Sequence, residues 1–331
     1  MNEEIPAIEA ITKIITELRS ENDILKTKIN KCHSILGTKL NTKIQSLESD
    51  DSNKELTIKS VIKKEDLEIV EASNANLKKH DKIVKLLLLH GLDVRYDENY
   101  WLQHSSENGY IDLVKLLLEA GANIHVYDDY ALRLASENGH INIVQLLLKA
   151  GANVRALDDF ALRLASENGH INIVQLLLKA GANVHATDDY ALKLASQNGY
   201  IDIVRLLLEA GSNVHASDDF ALRFASQDGN IDMVQLLLKA GADVHTSDDY
   251  SLRLASYNGH VDIVQLLLEA GANVHAADDS ALRFASYNGY VDIVQLLLDA
   301  GANVHARNDY ALKRASARGY SEIVKILSDH K

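Results

Sequence analysis

The sequence predicts an all-α protein in which a helical repeat solenoid follows one N-terminal coiled-coil helix. Three observations support this fold class: a nine-residue string that returns every 30 residues, a heptad pattern near the N-terminus, and a single proline in 331 residues. Average proteins contain about 5% proline, so very little in this chain interrupts helices. Aromatic residues make up only 5% of the chain, which argues against a large aromatic-rich β core.

The N-terminal segment, residues 1–40, has the apolar spacing of a coiled coil. The predicted oligomerisation seam steps by three and four residues and comprises Ile8, Ile11, Ile15, Leu18, Asn22, Leu25, Ile29, Cys32 and Leu36. Asn22 at the buried seam would penalise other registers, and the pattern favours a parallel dimer. Two alternatives stay open. The helix could fold back on the solenoid, and Ile14, Ile24 and Ile35, which lie off the seam, leave a trimer possible.

Residues 41–65 are polar and charged, and we expect them to form a flexible linker. The repeats occupy residues 66–331. They comprise about nine units: a degenerate first unit, seven full copies over 98–307 and a shorter last unit. Stacked units need polar outer faces at both ends. Arg314, where other copies have Leu or Phe, and the nearby Arg318 predict such a cap at the C-terminal end.

Each copy has the pattern of two short helices. In the copy that starts at Asp128, we expect a first helix at roughly 129–137, N-capped by Asp128 and Asp129, and a second at roughly 141–149. Asn138-Gly139 would end the first helix, and Gly151 would supply a left-handed residue after the second. Helices shorter than about 12 residues are marginal in water, so stacking of neighbouring units must stabilise them.

These residues resemble the ankyrin repeat. The resemblance rests on Leu132, Ala135, Asn138-Gly139-His140, Ile143-Val144, Leu146-Leu147-Leu148 and Gly151-Ala152-Asn153-Val154, and it covers about 80% of the chain. The family's usual period is 33 residues, with Thr-Pro-Leu-His opening the first helix. Here three residues are missing, so the resemblance implies a shortened or absent β-hairpin finger. The 30-residue variant is similar to ankyrin-repeat proteins that giant DNA viruses carry in multiple copies.

No catalytic motif is present: the sequence has no phosphate-binding loop, nucleophile elbow or His-Glu-x-x-His. We therefore predict a protein that is not an enzyme and has no cofactor. One repeat position carries His125, His185, His215, His245, His275 and His305. Packed helices lie about 8 to 10 Å apart, too far for equivalent residues to share a metal ion. Local hydrogen bonds of these histidines in the inter-repeat loop are the simpler interpretation.

Comparison of the copies separates scaffold positions from variable ones. Leu132, Ala135, Ser136, Gly139 and Val144 recur in every copy from 128 to 308, whereas position 137 changes from copy to copy. The predicted partner-binding residues lie on one face of the first helices: Tyr130, Arg133, Glu137, Phe160, Arg163, Glu167, Tyr190, Gln197, Phe220, Arg223, Gln227, Tyr250, Arg253, Tyr257, Arg283 and Tyr287. That face resembles the concave surface on which ankyrin proteins hold partners.

Three alternatives to partner binding remain for this face. The aromatic rings could fill the gap left by the missing finger, the arginines could pair with Asp129 and its equivalents, and variation at position 137 could be neutral.

Charge and composition limit the classes of partner and the cellular locations that we expect. Residues 98–331 carry 30 acidic and 18 basic side chains, which is −12 of the chain's net −13. This acidity disfavours nucleic acid, and the absence of a long apolar stretch disfavours a membrane span. One cysteine and an acidic N-terminus favour an intracellular location, cytoplasmic or nuclear, or the host cell for a viral protein. We predict an interaction scaffold or adaptor for a partner protein, with a structural spacer that contacts mainly itself as the alternative.

Overall fold

The computed structural model describes residues 100–330, and the chain is helical through most of this range. In the described range the helices are α1 Tyr100–Asn108, α2 Ile111–Glu119, α3 Tyr130–Glu137, α4 Ile141–Lys149, α5 Ala156–Glu167, α6 Ile171–Lys179, α7 Ala186–Gln197, α8 Ile201–Glu209, α9 Ala216–Asp228, α10 Ile231–Lys239, α11 Thr246–Asn258, α12 Val261–Glu269, α13 Ala276–Asn288, α14 Val291–Asp299, α15 Ala306–Arg318 and α16 Ser321–Asp329. No strand occurs within residues 100–330. This agrees with the shortened or absent β-hairpin finger that the resemblance implied.

The described residues fall into two compact units. The smaller contains residues 100–105 and 110–123, and the larger contains 106–109 and 124–330. The larger unit holds seven helix pairs, α3 to α16. We call the odd-numbered member of each pair the first helix and the even-numbered member the second helix. Each first helix packs on its own second helix and on the first helices of the adjacent pairs.

The core lies between the helices of adjacent pairs. In α3, Leu132 and Ala135 are no more than 1% exposed, and in α4 the same holds for Ile143, Val144 and Leu147. Equivalent residues are buried in the following pairs. Full burial of one Ile, Val or Leu side chain contributes about 1.5 to 3 kcal/mol. A nine-residue helix buries this stripe only against its neighbours, so the pairs stabilise one another.

Two glycines in each pair reverse the chain. After α3, Gly139 has φ +78°, and the His140 amide donates to the Ala135 carbonyl at 2.9 Å. After α4, Gly151 has φ +99°, and the Ala152 amide donates to the Leu147 carbonyl at 3.0 Å. These are the left-handed C-terminal turns expected from the sequence. The predicted bounds of α3 and α4 agree with the structure within one residue.

A left-handed turn of three residues precedes each first helix of the larger unit. Tyr127, Asp128 and Asp129 have φ values of +52°, +54° and +56°. In α5 the corresponding residues 157–159 lie inside the helix bounds but are also left-handed, so the right-handed helix begins after them. Asp and Asn tolerate this conformation better than other non-glycine residues. The turn occupies the place where the resemblance implied a shortened finger.

The predicted N-terminal elements lie outside the described residues. These are the coiled-coil segment 1–40 with its seam from Ile8 to Leu36, the linker 41–65, and the first repeat residues up to 99. Their interpretations stay predictions.

Candidate functional site

The exposed side of the first helices is the candidate site, and we call it the first-helix face. On α3 this face presents Tyr130, Arg133 and Glu137, while Leu132 and Ala135 on the other side are buried. Because consecutive first helices pack side by side, equivalent residues form rows that cross the repeats. The predicted partner-binding residues fall into three such rows: an aromatic row, a basic row and a variable row.

The variable row starts at Glu137, and its members differ in chemistry. Glu137, Glu167, Gln197, Gln227 and Tyr257 are exposed, and 48% of the Tyr257 surface is accessible. Tyr287 is half-buried because the Arg318 guanidinium lies 3.7 Å from its ring centre. The side chains of this row contribute little to the core, so they can change without disturbing it.

The basic row has a structural function that the sequence did not predict. Arg163 donates to the Leu157 carbonyl at 2.8 Å, and Arg223 donates to the Ser217 and Asp218 carbonyls at 2.9 and 2.8 Å. Arg133, Arg253 and Arg283 make equivalent bonds. These residues therefore satisfy carbonyl groups of the left-handed turns. The alternative of an Arg133 pair with Asp129 is wrong, because the described residues contain no such salt bridge and Arg133 bonds the turn instead.

Arg283 differs from the rest of its row. Its side chain is buried, with 8% of the residue exposed, and burial lowers its pKa from the usual value, with Arg307 nearby acting in the same direction. It offers little surface to a partner. The other basic-row residues are half-buried.

The aromatic row stacks on the basic row. The Arg133 guanidinium lies 4.8 Å from the Tyr130 ring centre and 5.6 Å from that of Phe160 in the next repeat. Arg163 lies 4.6 Å from Phe160 and 6.0 Å from Tyr190. Such contacts contribute about 0.5 to 2 kcal/mol each. The rings thus help to hold the arginines in place, while Tyr130 and Tyr190 keep 37% and 40% of their surface exposed.

A shallow hollow of about 280 Å³ opens on the first-helix face near the C-terminal repeats. It is lined by Tyr250, Arg253, Leu254, Tyr257 and Phe284. The Tyr257 and Phe284 rings meet edge to face with their centres 5.5 Å apart. Leu254 and Phe284 were not among the predicted site residues. The signal that could have found them is the change from Leu to Phe at this repeat position, which also occurs at Phe224.

The second aspartate of the pair links adjacent repeats, so the prediction that Asp129 caps its own helix is wrong. Asp129 is 4% exposed and makes no capping bond to α3. Its Oδ1 accepts the Asn153 amide of the next repeat at 2.9 Å. The equivalent bond recurs from Asp159, Asp189, Asp219, Asp249 and Asp279. The left-handed φ of Asp129 accompanies this different use of the carboxylate.

The histidines of the repeated position bond locally, as the sequence indicated. His125 Nδ1 lies 3.2 Å from Asp129 Oδ1, and five later histidines bond the aspartate four residues on in the same way. Arg155 interrupts this row. The described residues hold no group of three His, Cys, Asp or Glu side chains arranged to bind a metal ion.

Among residues 100–330, two aspartates have shifted pKa values. Burial raises the pKa of Asp159 above its ordinary value, although the Asn183 amide acts in the opposite direction. The Ser217 hydroxyl and then Lys193 lower the pKa of the exposed Asp188. Lys193 Nζ lies 3.2 Å from Asp188 Oδ2 and 2.7 Å from Ser217 Oγ. Both shifts have causes within the repeat framework, and neither indicates a reactive group.

A second contact between repeats was not foreseen. His140 Nε2 lies 2.9 Å from the Glu107 carbonyl oxygen, and a Cβ at Gly109 would come within 2.7 Å of the His140 ring. Similar ring-on-glycine contacts involve His170, Tyr200, His260, Tyr290 and Tyr320. The recurrent glycine therefore serves both the turn and the approach of the next repeat.

The part of the chain that the structure describes holds no helix with the length and apolar character needed to cross a membrane.

Comparison with known proteins identifies the repeats directly. A model described as ankyrin repeats in three copies matches residues 122–188, 162–248, 192–278, 222–308 and 252–331, and a single ankyrin-repeat model matches residues 102–129. No curated protein sequence matches the chain. The matches span more than half of the sequence and agree with the paired helices, and ankyrin repeats generally mediate protein–protein interaction. The chain belongs to the ankyrin-repeat family.

Proposed function

We propose that this protein is a non-enzymatic scaffold or adaptor that binds a partner protein on its first-helix face. The observation that carries the proposal is the contrast between a repeated framework and the variable row. Core residues and inter-repeat bonds recur in nearly the same form, while the exposed residues at position 137 and its equivalents change from Glu to Gln to Tyr. Variation at an exposed row suits recognition of a particular surface.

The composition of the face supports protein binding. Tyr and Arg are enriched among residues that contribute most to binding free energy. The arginines are held by carbonyl groups and aromatic rings, so little side-chain entropy is lost when a partner contacts them. The aromatic and variable rows lie beside them on the same helices. The three rows thus form one continuous surface with fixed geometry.

The proposal includes dimerisation through residues 1–40. Two arms on one stalk would raise the effective concentration of the second binding site, so moderate single-arm affinities could give firm attachment. The seam residues from Ile8 to Leu36 support this part by their spacing alone. The presence of one cysteine in 331 residues supports an intracellular location. The 30-residue period supports a likeness to the viral ankyrin-repeat variant.

Affinity capture with three forms of the protein tests the binding face. In the face variant, serine replaces Glu137, Glu167, Gln197, Gln227, Tyr257 and Tyr287. In the control variant, serine replaces exposed residues of the second helices: Gln145, Gln175, Arg205, Gln235 and Gln265. We expect the wild type and the control to retain the same protein from native cells, and the face variant to retain at least tenfold less.

Equal capture by all three forms would show that another surface binds the partner. Capture of only the protein itself would favour the alternative of a structural spacer. Light scattering tests dimerisation separately. Leu18→Glu with Leu25→Glu should halve the mass in solution, while Thr27→Glu, which lies off the seam, should not. An unchanged mass for the seam variant would end the dimer proposal.

A further inference from the structure

The hollow on the first-helix face lies at the boundary between the repeats that contain α11 and α13. Its lining is three aromatic rings, Leu254 and the stem of Arg253. The hollow has a volume of about 280 Å³ and is open to solvent on one side. One large apolar side chain fits such a space and would remove exposed ring surface from water.

The aromatic row is interrupted at this boundary. In the earlier repeats Arg133 and Arg163 each lie over the ring of their own repeat and the ring of the next. Arg253 lies 4.9 Å from the Tyr250 ring, but the next aromatic-row position is Ser280, which is 2% exposed. No ring from the next repeat therefore covers the outer side of Arg253.

The charge of the variable row is uneven. Glu137 and Glu167 are exposed and form no salt bridge within the described residues, whereas the row continues as Gln and then Tyr. The nearest basic-row residues, Arg133 and Arg163, donate to carbonyl groups of the left-handed turns and lie over aromatic rings. Two exposed carboxylates, those of Glu137 and Glu167, thus lie at one end of the row, and the apolar hollow lies at the other.

The repeat spacing sets the distance between these two ends. Packed helices lie about 8 to 10 Å apart, so three to four repeats separate Glu167 and Glu137 from Tyr257 by about 24 to 40 Å. An extended polypeptide advances about 3.3 Å per residue. Such a chain lying across the first helices would place about 7 to 12 residues between its contacts with the two ends.

We propose that the first-helix face takes an extended polypeptide segment of defined chemistry. One large apolar side chain of the segment enters the hollow beside Tyr257 and Phe284. Lysine or arginine residues about 7 to 12 positions away lie against Glu167 and Glu137. This inference rests on the proposed function and names the kind of partner that the face recognises.

Selection of peptides on the full chain tests the inference. Random 16-residue peptides displayed on phage are selected against the wild type, and the enriched sequences are made as fluorescent peptides. Their dissociation constants are measured by anisotropy at two salt concentrations. The variants are Tyr257→Gln, which places the residue found at 197 and 227, and Glu137→Gln with Glu167→Gln. The controls are Tyr127→Ser, since Ser occurs at this position in two other repeats, and Asp202→Asn with Glu209→Gln on an exposed second helix.

The expected peptides carry one large apolar residue with basic residues at the stated spacing. Tyr257→Gln should weaken their binding at least tenfold. The double Glu variant should weaken binding several-fold at low salt and reduce its dependence on salt. Both controls should bind as the wild type does. Circular dichroism checks that each variant keeps its helical content.

Enrichment of no peptide, of peptides without the spacing, or of peptides that bind Tyr257→Gln as well as the wild type would overturn the inference. The proposed function fails by a different result, namely equal capture of the cellular partner by the six-residue face variant. A partner lost by the face variant together with peptides unaffected by Tyr257→Gln would mean that the face binds a folded surface instead.

Discussion

The buried carboxylate of Asp219 should stabilise the boundary between two repeats. Its Oδ1 accepts the Asp243 amide of the next repeat at 2.9 Å, and its Oδ2 accepts the Thr246 hydroxyl at 2.7 Å. His215 Nδ1 lies 3.1 Å from Oδ1. Asp219 is 3% exposed, so water does not replace these partners easily when the carboxylate is removed.

Asp219→Ala removes the acceptor for a backbone amide and a hydroxyl at once. Hydrogen bonds to charged groups contribute about 1.5 to 3 kcal/mol, and a buried donor left unpaired costs about 1 to 3 kcal/mol. We expect a loss of about 3 kcal/mol at this boundary. The matched control is Asp218→Ala. Asp218 is exposed and also left-handed, with φ +56° against +49° at Asp219, so both variants place alanine in the same kind of backbone.

Hydrogen exchange is the suitable assay, because repeat proteins open locally and do not always unfold in one step. The Asp243 amide should exchange about 100-fold faster in Asp219→Ala, which corresponds to about 3 kcal/mol. In Asp218→Ala its exchange should change much less. Equal acceleration in the two variants would refute the role of the carboxylate and would assign the effect to backbone strain.

Four other predictions concern the framework. Gly229→Ala should lower the free energy of unfolding by about 1 to 3 kcal/mol more than Gly241→Ala in urea titrations, because a Cβ at Gly229 meets His260 at 2.6 Å while Gly241, also at positive φ, has open space. Asp159 binds its proton more tightly in the folded protein, because its pKa is raised there. Its stabilising contribution is therefore present below its ordinary pKa and lost as the pH rises through the raised value. Asp159→Asn should remove this loss of stability with rising pH, and NMR titration of the wild type should place the carboxyl pKa above 3.8. Arg223→Met removes two carbonyl bonds and should lower stability by about 1 to 3 kcal/mol, whereas Arg205→Met on an exposed second-helix position should change it little. Ala277 has φ +48°, so Ala277→Gly should leave the free energy of unfolding unchanged or raise it by up to about 1 kcal/mol. Ala317→Gly within α15 should instead lower it by about 1 kcal/mol. Equal losses of stability in thermal unfolding would contradict the left-handed turn.

Local signals predicted the helices well. The apolar stripe of Ile143, Val144 and Leu147 marked α4 with its observed bounds, because helix periodicity and burial depend on neighbours in sequence. Gly139 and Gly151 marked the turns for the same reason. In both cases the information lay within one copy of the repeat. The shortened or absent finger was instead implied by the resemblance to the ankyrin repeat, taken with the 30-residue period.

Contacts between copies could not be predicted in this way. Two aspartates before a helix are the usual signal for an N-cap, yet Asp129 bonds Asn153, which lies 24 residues further along the chain. Arg133 lies four residues after Asp129, which is the spacing of an ion pair on a helix, yet Arg133 donates to the Tyr127 carbonyl. Both outcomes depend on the left-handed turn, which brings carbonyl groups and carboxylates to new neighbours. The aspartate pair tolerates that turn but is equally compatible with an N-cap, so the sequence alone did not select the turn.

The candidate site was predicted in outline only. The exposure of Glu137, Glu167, Gln197, Gln227 and Tyr257 agrees with the first-helix face expected from helical spacing. The burial of Arg283 and the hollow beside Tyr257 arise from packing between α11, α13 and α15, which spacing along one helix does not describe. Binding by any of these residues stays a prediction.

The inter-repeat bonds also explain which residues can vary. Asp219 serves the next repeat, Arg223 serves the turn before its helix, and Gly229 admits the His260 ring, so a change at any of the three disturbs a boundary. Gln227 lies on the same helix as Asp219 and Arg223, and its side chain is exposed. A new side chain there alters what the surface offers without altering how the repeats stack. The framework therefore leaves this row free to vary, and recognition by a partner would use that variation.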